Sequence, residues 1–408
     1  MGVSAVMLLR VIRRGARLIE SPARRFVALD PDHLLAAARR RSRGHDFEEM
    51  TFREGLNRLL HALVSEARLN LLGRIVARDS IVSYLANRVQ LEADRRRHPE
   101  ITTQRIHRPI VITGLPRSGS TLLHSLLAED PANRVPRMWE MLTPSPPPEG
   151  ATYEDDPRIA ITEKRLRWLD RLAPEFKRIH PVGARLPEEC VVILSHSFLS
   201  SEFCSIYAVP SYQRWMRAQS LLPAYRLHRR FLQHLQWRCR GDRWILKAPA
   251  HLQALGELCA VYPDVGVIMT HREPLEVLPS EASLHTVLRQ TFSDAVDPAA
   301  VGREVTELTA DEIRIGLQAR DRGCAPSEQF LDVRYCDLVK DPIGTVRRAY
   351  AHFDIPFTTI AETRMRGYLA GSPKDKHGAH VYSLSQFGLD VDEEHERYRH
   401  YRERFLLS

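Results

Sequence analysis

A chain of 408 residues with 43% hydrophobic residues and a mean hydropathy of −0.32 has the material for one large domain or two and an ample core. Its formal net charge is +8, and only six of its 59 Lys+Arg residues are lysines (164, 177, 247, 340, 374 and 376). The arginines are spread along the chain, with no RNA-binding motif and no low-complexity basic tail, so nucleic-acid binding is not expected.

The six cysteines (190, 204, 239, 259, 324 and 336) are isolated, which excludes a C-x-x-C motif and any zinc spacing. They read as buried thiols in a reducing, cytoplasmic compartment. At the N-terminus the apolar run Val3 to Leu9 precedes its arginines rather than following them, the wrong order for a signal peptide. The run is also too short to span a bilayer. It reads as a docked surface helix, with peripheral membrane contact as the alternative.

Residues 30 to 100 read as helical. Asp30-Pro31-Asp32 supplies caps, and Leu56, Leu59, Leu60 and Leu63 recur at helical spacing between Phe52 and Ala67. Residues 1–105 are therefore expected to form an N-terminal helical region packed on a main domain, 106–408. Pro109 introduces a first strand near 110–113, followed by a helix from about Ser118 to Glu129. The Pro-rich stretch 144–150 is a stiff connector. Residues from about 157 to 240 form a helical insertion rich in aromatics, expected on the acceptor side. Further strands are expected at 243–247, 265–270 and 329–335, with helices at 250–261, 275–289, 300–321 and 342–353. This alternation predicts an α/β fold: a P-loop-type parallel sheet flanked by helices.

In such sheets the ligand sits outside the carboxyl ends of the strands, and three motifs fall there. The first is the loop Gly114-Leu115-Pro116-Arg117-Ser118-Gly119-Ser120-Thr121. Its glycines have the spacing of a nucleoside-triphosphate loop, but Ser120 replaces the lysine that reaches the β/γ-phosphates. The loop can still bind an anion through its amides and helix N-terminus, with Arg117 as its cation. The second is Thr270-His271-Arg272-Glu273-Pro274, which puts Arg272 at the mouth of the sheet with Ser280 eight residues on. No Asp closes that strand to hold Mg²⁺, which argues against a metal-dependent kinase. The third is Lys247 with His251 after the second long strand. Lys247 can neutralise charge on a transferring group, and His251 reads either as a functional group or as a packing residue.

Together these residues resemble the sulfotransferase family that uses 3′-phosphoadenosine-5′-phosphosulfate, in its bacterial branch with a P-R-[ST]-G-[ST]-T loop. Residues 114–123 resemble the 5′-phosphosulfate loop, Arg272 and Ser280 the 3′-phosphate pair, and Tyr335 to Pro342 the family's Y-x-D-L-x-x-D-P segment. The resemblance implies that Pro116, Arg117, Ser118, Gly119, Ser120, Thr121, Arg272, Ser280 and Tyr335 bind the donor and its product, adenosine 3′,5′-bisphosphate, without a metal. Lys374, with Lys376 and His377, resembles a basic loop that closes over the 3′-phosphate. Sulfuryl transfer to a hydroxyl needs a general base. The resemblance puts Glu140 in that role, with Arg117 and Lys247 stabilising the transferring group. His251 and the pair Glu188/Glu189 are the other candidates. The implied acceptor is a small, lipophilic molecule or lipid bearing a hydroxyl. A divergent P-loop kinase or NTPase, and a non-catalytic nucleotide-binding protein, are the alternatives.

Overall fold

The computed structural model describes residues 27–172, 182–371 and 383–407. The apolar N-terminal run and the segment holding Lys374, Lys376 and His377 lie outside the described residues. The core is a five-stranded sheet: β1 (Ile110–Gly114), β2 (Asn133–Arg134), β3 (Arg243–Lys247), β4 (Gly266–His271) and β5 (Phe330–Arg334). The spatial order is β2-β3-β1-β4-β5, and every pairing is parallel.

The apolar runs of β1, β3 and β4 suit strands covered on both faces. Alternation within β1 shows it: Ile110 and Ile112 join Leu123, Leu126, Ile268 and Val346 on one side, while Val111 joins Leu246, Val267, Leu255 and Leu317 on the other. Because β1 lies between β3 and β4, the chain leaves it in opposite directions. Such a switch point opens a crevice at the carboxyl ends of the strands. β2 was not expected from the sequence. It is two residues long, and it pairs with Arg243 and Trp244 at the sheet edge.

The N-terminal region forms helices Pro31–Arg41, Arg53–Ser65 and Leu71–Arg97. Asp30 caps the first by accepting from the His33 amide at 3.0 Å, as the Asp30-Pro31-Asp32 sequence predicts. Asn70 caps the third in the same way, from Gly73 at 2.8 Å. Leu56, Leu59, Leu60 and Leu63 are buried, and they share a core with Phe198, Phe203, Tyr212 and Phe292 from the rest of the chain. Among the described residues the 157–240 segment holds helices Pro157–Leu172, Val191–Ser195, Glu202–Ile206, Pro210–Arg217 and Leu222–Gln236. The expectation of buried cysteines fails at Cys336, which is exposed, and at Cys324, which is half-buried. Among the described residues no helix is long and apolar enough to cross a membrane.

Because Leu56 is fully enclosed at this shared core, Leu56→Ala should cost about 2–5 kcal/mol in a urea unfolding titration. A loss well below that range would mean that the first helices pack loosely on the rest.

Candidate functional site

The loop after β1 is held open by backbone geometry. Gly114 has φ +126°, and a Cβ there would lie 2.2 Å from the carbonyl oxygen of Thr270 on β4. Only glycine allows the two strands so close at this point. The chain then turns through Arg117 at φ +61° and Gly119 at φ +87° before entering helix Ser120–Ala128. A side chain on Gly119 would strike Leu338 and Tyr335, so its absence lets helix Tyr335–Lys340 press against the loop. The first amides of helix Ser120–Ala128 have no partners within the helix and face an incoming anion.

Ser118 does not point outward as expected of a ligand. It is fully buried, with Oγ 2.6 Å from Thr270 Oγ1 and a bond to the Leu115 carbonyl, so it fastens the loop to β4. Arg272 is brought to the loop from the end of β4. Its Nη1 donates to the carbonyl of Arg117 at 2.8 Å, its guanidinium lies 4.1 Å from the Tyr335 ring centroid, and Glu276 accepts from it at 2.9 Å. Arg117, Gly119, Arg272 and Tyr335 therefore converge. Ser280 is half-buried in the second turn of helix Pro274–Phe292, on the element that Arg272 leads into.

Lys247 closes β3, beside Ile112 of β1, and is only 2% exposed; it is not a solvated rim lysine. Its Nζ forms a close salt bridge with Glu189. The Cys190 amide donates to the Lys247 carbonyl at 2.8 Å, which clips the Glu189 segment to the end of the strand. Glu188 Oε1 accepts from the Glu189 amide at 2.8 Å.

Two sequence candidates for the base are placed elsewhere. Glu140, in helix Met138–Leu142, is fully buried with both carboxylate oxygens engaged. Arg134 Nη2 and Nη1 donate to it at 2.7 and 3.3 Å, Tyr153 Oη at 3.2 Å and the Arg137 amide at 2.9 Å. The Arg134 guanidinium is itself held against the rings of Tyr153 and Trp244. Burial disfavours the Arg134 charge, but the Glu140 carboxylate more than restores it and holds its pKa above the ordinary arginine value. Both oxygens of Glu140 are thus engaged within a buried ion pair. His251 is likewise sealed in the core, with Nδ1 2.6 Å from Tyr225 Oη. Burial, with His228 nearby, pushes its pKa well below the usual value and keeps the imidazole neutral. Neither residue lines the cavity described next.

A cavity of about 390 Å³ opens where the loops after β1 and β3 meet; Pro116, Pro249 and Ala250 form one side of it, with Glu188 and Glu189 beside them. Its walls are largely apolar, built from Val76 of the N-terminal helices and from Val192, Met216, Leu284, Leu288 and Phe292. Sequence reasoning missed its polar wall: Glu202, Glu281, Glu312 and His285. Burial pushes Glu202 and Glu312 up to about 7. Burial, reinforced by Glu312, pushes Glu281 up to about 8. Burial also pushes His285 down to about 4, so at neutral pH Glu281 is mostly protonated and His285 neutral, while Glu202 and Glu312 sit near their titration midpoints. These residues come from helices far apart in sequence, and no spacing signal joins them. Among the described residues no three His, Cys, Asp or Glu side chains converge as metal ligands.

The folded state thus holds a proton on Glu281 across a pH range in which an unfolded glutamate has already lost it. Its contribution to stability is neutral below the unfolded pKa and increasingly unfavourable as pH rises toward 8. Glu281→Gln should therefore raise Tm more at pH 8 than at pH 5 in calorimetry. A shift of equal size at both pH values would contradict the raised pKa.

The description "Sulfotransferase family" matches residues 109–359 of the chain. The omega-hydroxy-beta-dihydromenaquinone-9 sulfotransferase Stf3 of Mycobacterium tuberculosis is 27% identical over 301 residues, 70% of this chain and 72% of the relative; the Mycobacterium bovis protein of the same name matches equally. Among solved structures, sulfotransferase STF1 from Mycobacterium tuberculosis is 33% identical, with a TM-score of 0.80 over 90% of this chain and 97% of its own. STF9 from Mycobacterium avium is 27% identical, with a TM-score of 0.82 over 92% of this chain and 97% of its own.

Proposed function

The chain belongs to the sulfotransferase family, and from that premise we propose that it transfers a sulfuryl group from 3′-phosphoadenosine-5′-phosphosulfate to a hydroxyl of a lipophilic acceptor, with Glu189 rather than Glu140 as the base. One observation carries the reading. The largely apolar cavity is lined by the half-buried Glu189, which is paired with the buried Lys247, beside the loop after β1. The names of the mycobacterial relatives, which specify a hydroxylated menaquinone derivative, support a lipophilic acceptor of that general kind.

The residues present fit the donor. Its phosphosulfate needs unpaired amides and a cation, and the loop offers the helix N-terminus with Arg117. Its separate 3′-phosphate needs a second cationic site, and Arg272 with Ser280 provides it from the adjacent strand end. When bound, the donor supplies an activated sulfuryl group in an in-line displacement. Glu189 accepts the proton of the acceptor hydroxyl. Lys247, held in a low-dielectric position by its burial, offsets negative charge that grows on the transferring group, and Arg117 adds to this from the loop. Ser118 and Gly119 act on the loop itself, fixing its shape. The polar wall of Glu202, Glu281, Glu312 and His285 lies in the acceptor cavity and presents hydrogen-bond donors and acceptors to it. The free cysteines fit a cytoplasmic place for the reaction.

Glu189→Gln should spare binding of adenosine 3′,5′-bisphosphate and cut turnover by roughly 10²–10⁴-fold. Glu140→Gln should instead lower stability by about 3–5 kcal/mol, because it breaks a buried pair. Near-normal turnover in the Glu189 variant, with turnover lost in a well-folded Glu140 variant, would return the base to Glu140. Arg272→Ala should weaken adenosine 3′,5′-bisphosphate binding by about 1.5–3 kcal/mol in calorimetric titration. Unchanged affinity would remove Arg272 from the donor site.

A further inference from the structure

Helix Pro157–Leu172 has two faces with different work. On the inner face Ile159 packs with Trp139, and Leu166 lines the acceptor cavity. On the outer face Ile161 is 53% exposed and Trp168 is 56% exposed. They stand seven residues apart, two helical turns along one stripe. Large apolar side chains at this exposure are uncommon on the described surface, and two on one stripe need a reason. Lys164 lies between them, with Arg165 on one flank and Arg167 and Arg171 on the other, all exposed. Arg171 sits over the Trp168 ring at 5.3 Å. The two acids of the helix, Glu163 and Asp170, are half-buried and turned from that stripe; Glu163 accepts from the Ala184 amide at 2.9 Å.

We propose that the outer face of helix Pro157–Leu172 docks on an anionic lipid bilayer. Trp168 and Ile161 enter the boundary between headgroups and acyl chains, and Lys164, Arg165, Arg167 and Arg171 meet the lipid phosphates. The pattern is that of a helix lying in a membrane interface: an apolar stripe flanked by cations. The formal charge of +8 favours the same encounter. Charge complementarity selects the bilayer over a protein partner, because the face offers four cations around only two apolar side chains. Leu166 on the opposite face puts this surface against the acceptor cavity, so a lipophilic acceptor has a short path from bilayer to site. That last link rests on the proposed function. The docking surface does not, and its test involves no turnover.

The test is co-sedimentation of the full chain with vesicles, either phosphatidylcholine alone or phosphatidylcholine mixed with phosphatidylglycerol. The expected result is binding to the anionic vesicles only, weakened by added salt. The double variant Ile161→Ser/Trp168→Ser and the triple variant Lys164→Gln/Arg165→Gln/Arg167→Gln should each lower partitioning by about tenfold or more. Their Tm should not change, because all five side chains are exposed. Trp fluorescence should shift to the blue on vesicle addition in the parent and not in Trp168→Phe. Absence of binding by the parent, or binding that survives both variants, would overturn the proposal. So would loss in the charge variant alone, which would mean adsorption without insertion. Self-association of the parent that Ile161→Ser/Trp168→Ser abolishes would assign the face to a second copy of the chain instead.

Discussion

The site depends on how closely β1 and β4 approach at their carboxyl ends. At Gly114 there is no room for even a methyl group between the strand and the Thr270 carbonyl. That contact fixes where the loop begins, and the Ser118–Thr270 pairing fixes its first turn. From there, Gly119 admits Tyr335, and Tyr335 supplies the ring on which Arg272 rests. The anion site is thus a chain of steric permissions as much as a set of charges. Each member is positioned by the one before it, and the cations arrive last.

Charge is treated in opposite ways at Glu140 and Glu189. Glu140 has its carboxylate enclosed by Arg134, Tyr153 and a backbone amide, with no oxygen left over. Glu189 meets Lys247 at the edge of a cavity, so its pair is reachable. A buried ion pair contributes little to stability by itself and is costly to break. What separates the two is access, which depends on the direction in which each side chain leaves the backbone.

That distinction explains what the sequence could and could not disclose. Strands β1, β3, β4 and β5 are legible as short apolar runs between turn residues, and the loop is legible because its two glycines are required by local backbone angles. β2 is polar, two residues long and held by its neighbour alone, so no run announces it. At the candidate bases the sequence does not disclose enclosure: Glu140 and His251 are buried, whereas Glu189 lines the cavity. Position along the chain suits Glu140, but Arg134, six residues earlier, turns back to claim it. His251 follows β3 closely, yet its 3₁₀ turn directs it inward to Tyr225. The cavity acids Glu202, Glu281 and Glu312 meet only through tertiary packing, and nothing in their spacing foretells it.

The cavity wall has a further consequence. Val76, Ser80 and Tyr84 belong to helix Leu71–Arg97, outside the sheet and its loops, while the converging Gly114, Arg117, Gly119, Arg272 and Tyr335 all come from β1 onward. One part of the cavity wall is therefore encoded in a stretch of chain separate from the loop after β1. Under the proposed function, substitutions at Val76, Ser80 or Tyr84 would reshape the acceptor cavity without touching the loop after β1. On that reading, a lineage with this architecture would diversify its products through a segment that a motif search would pass over.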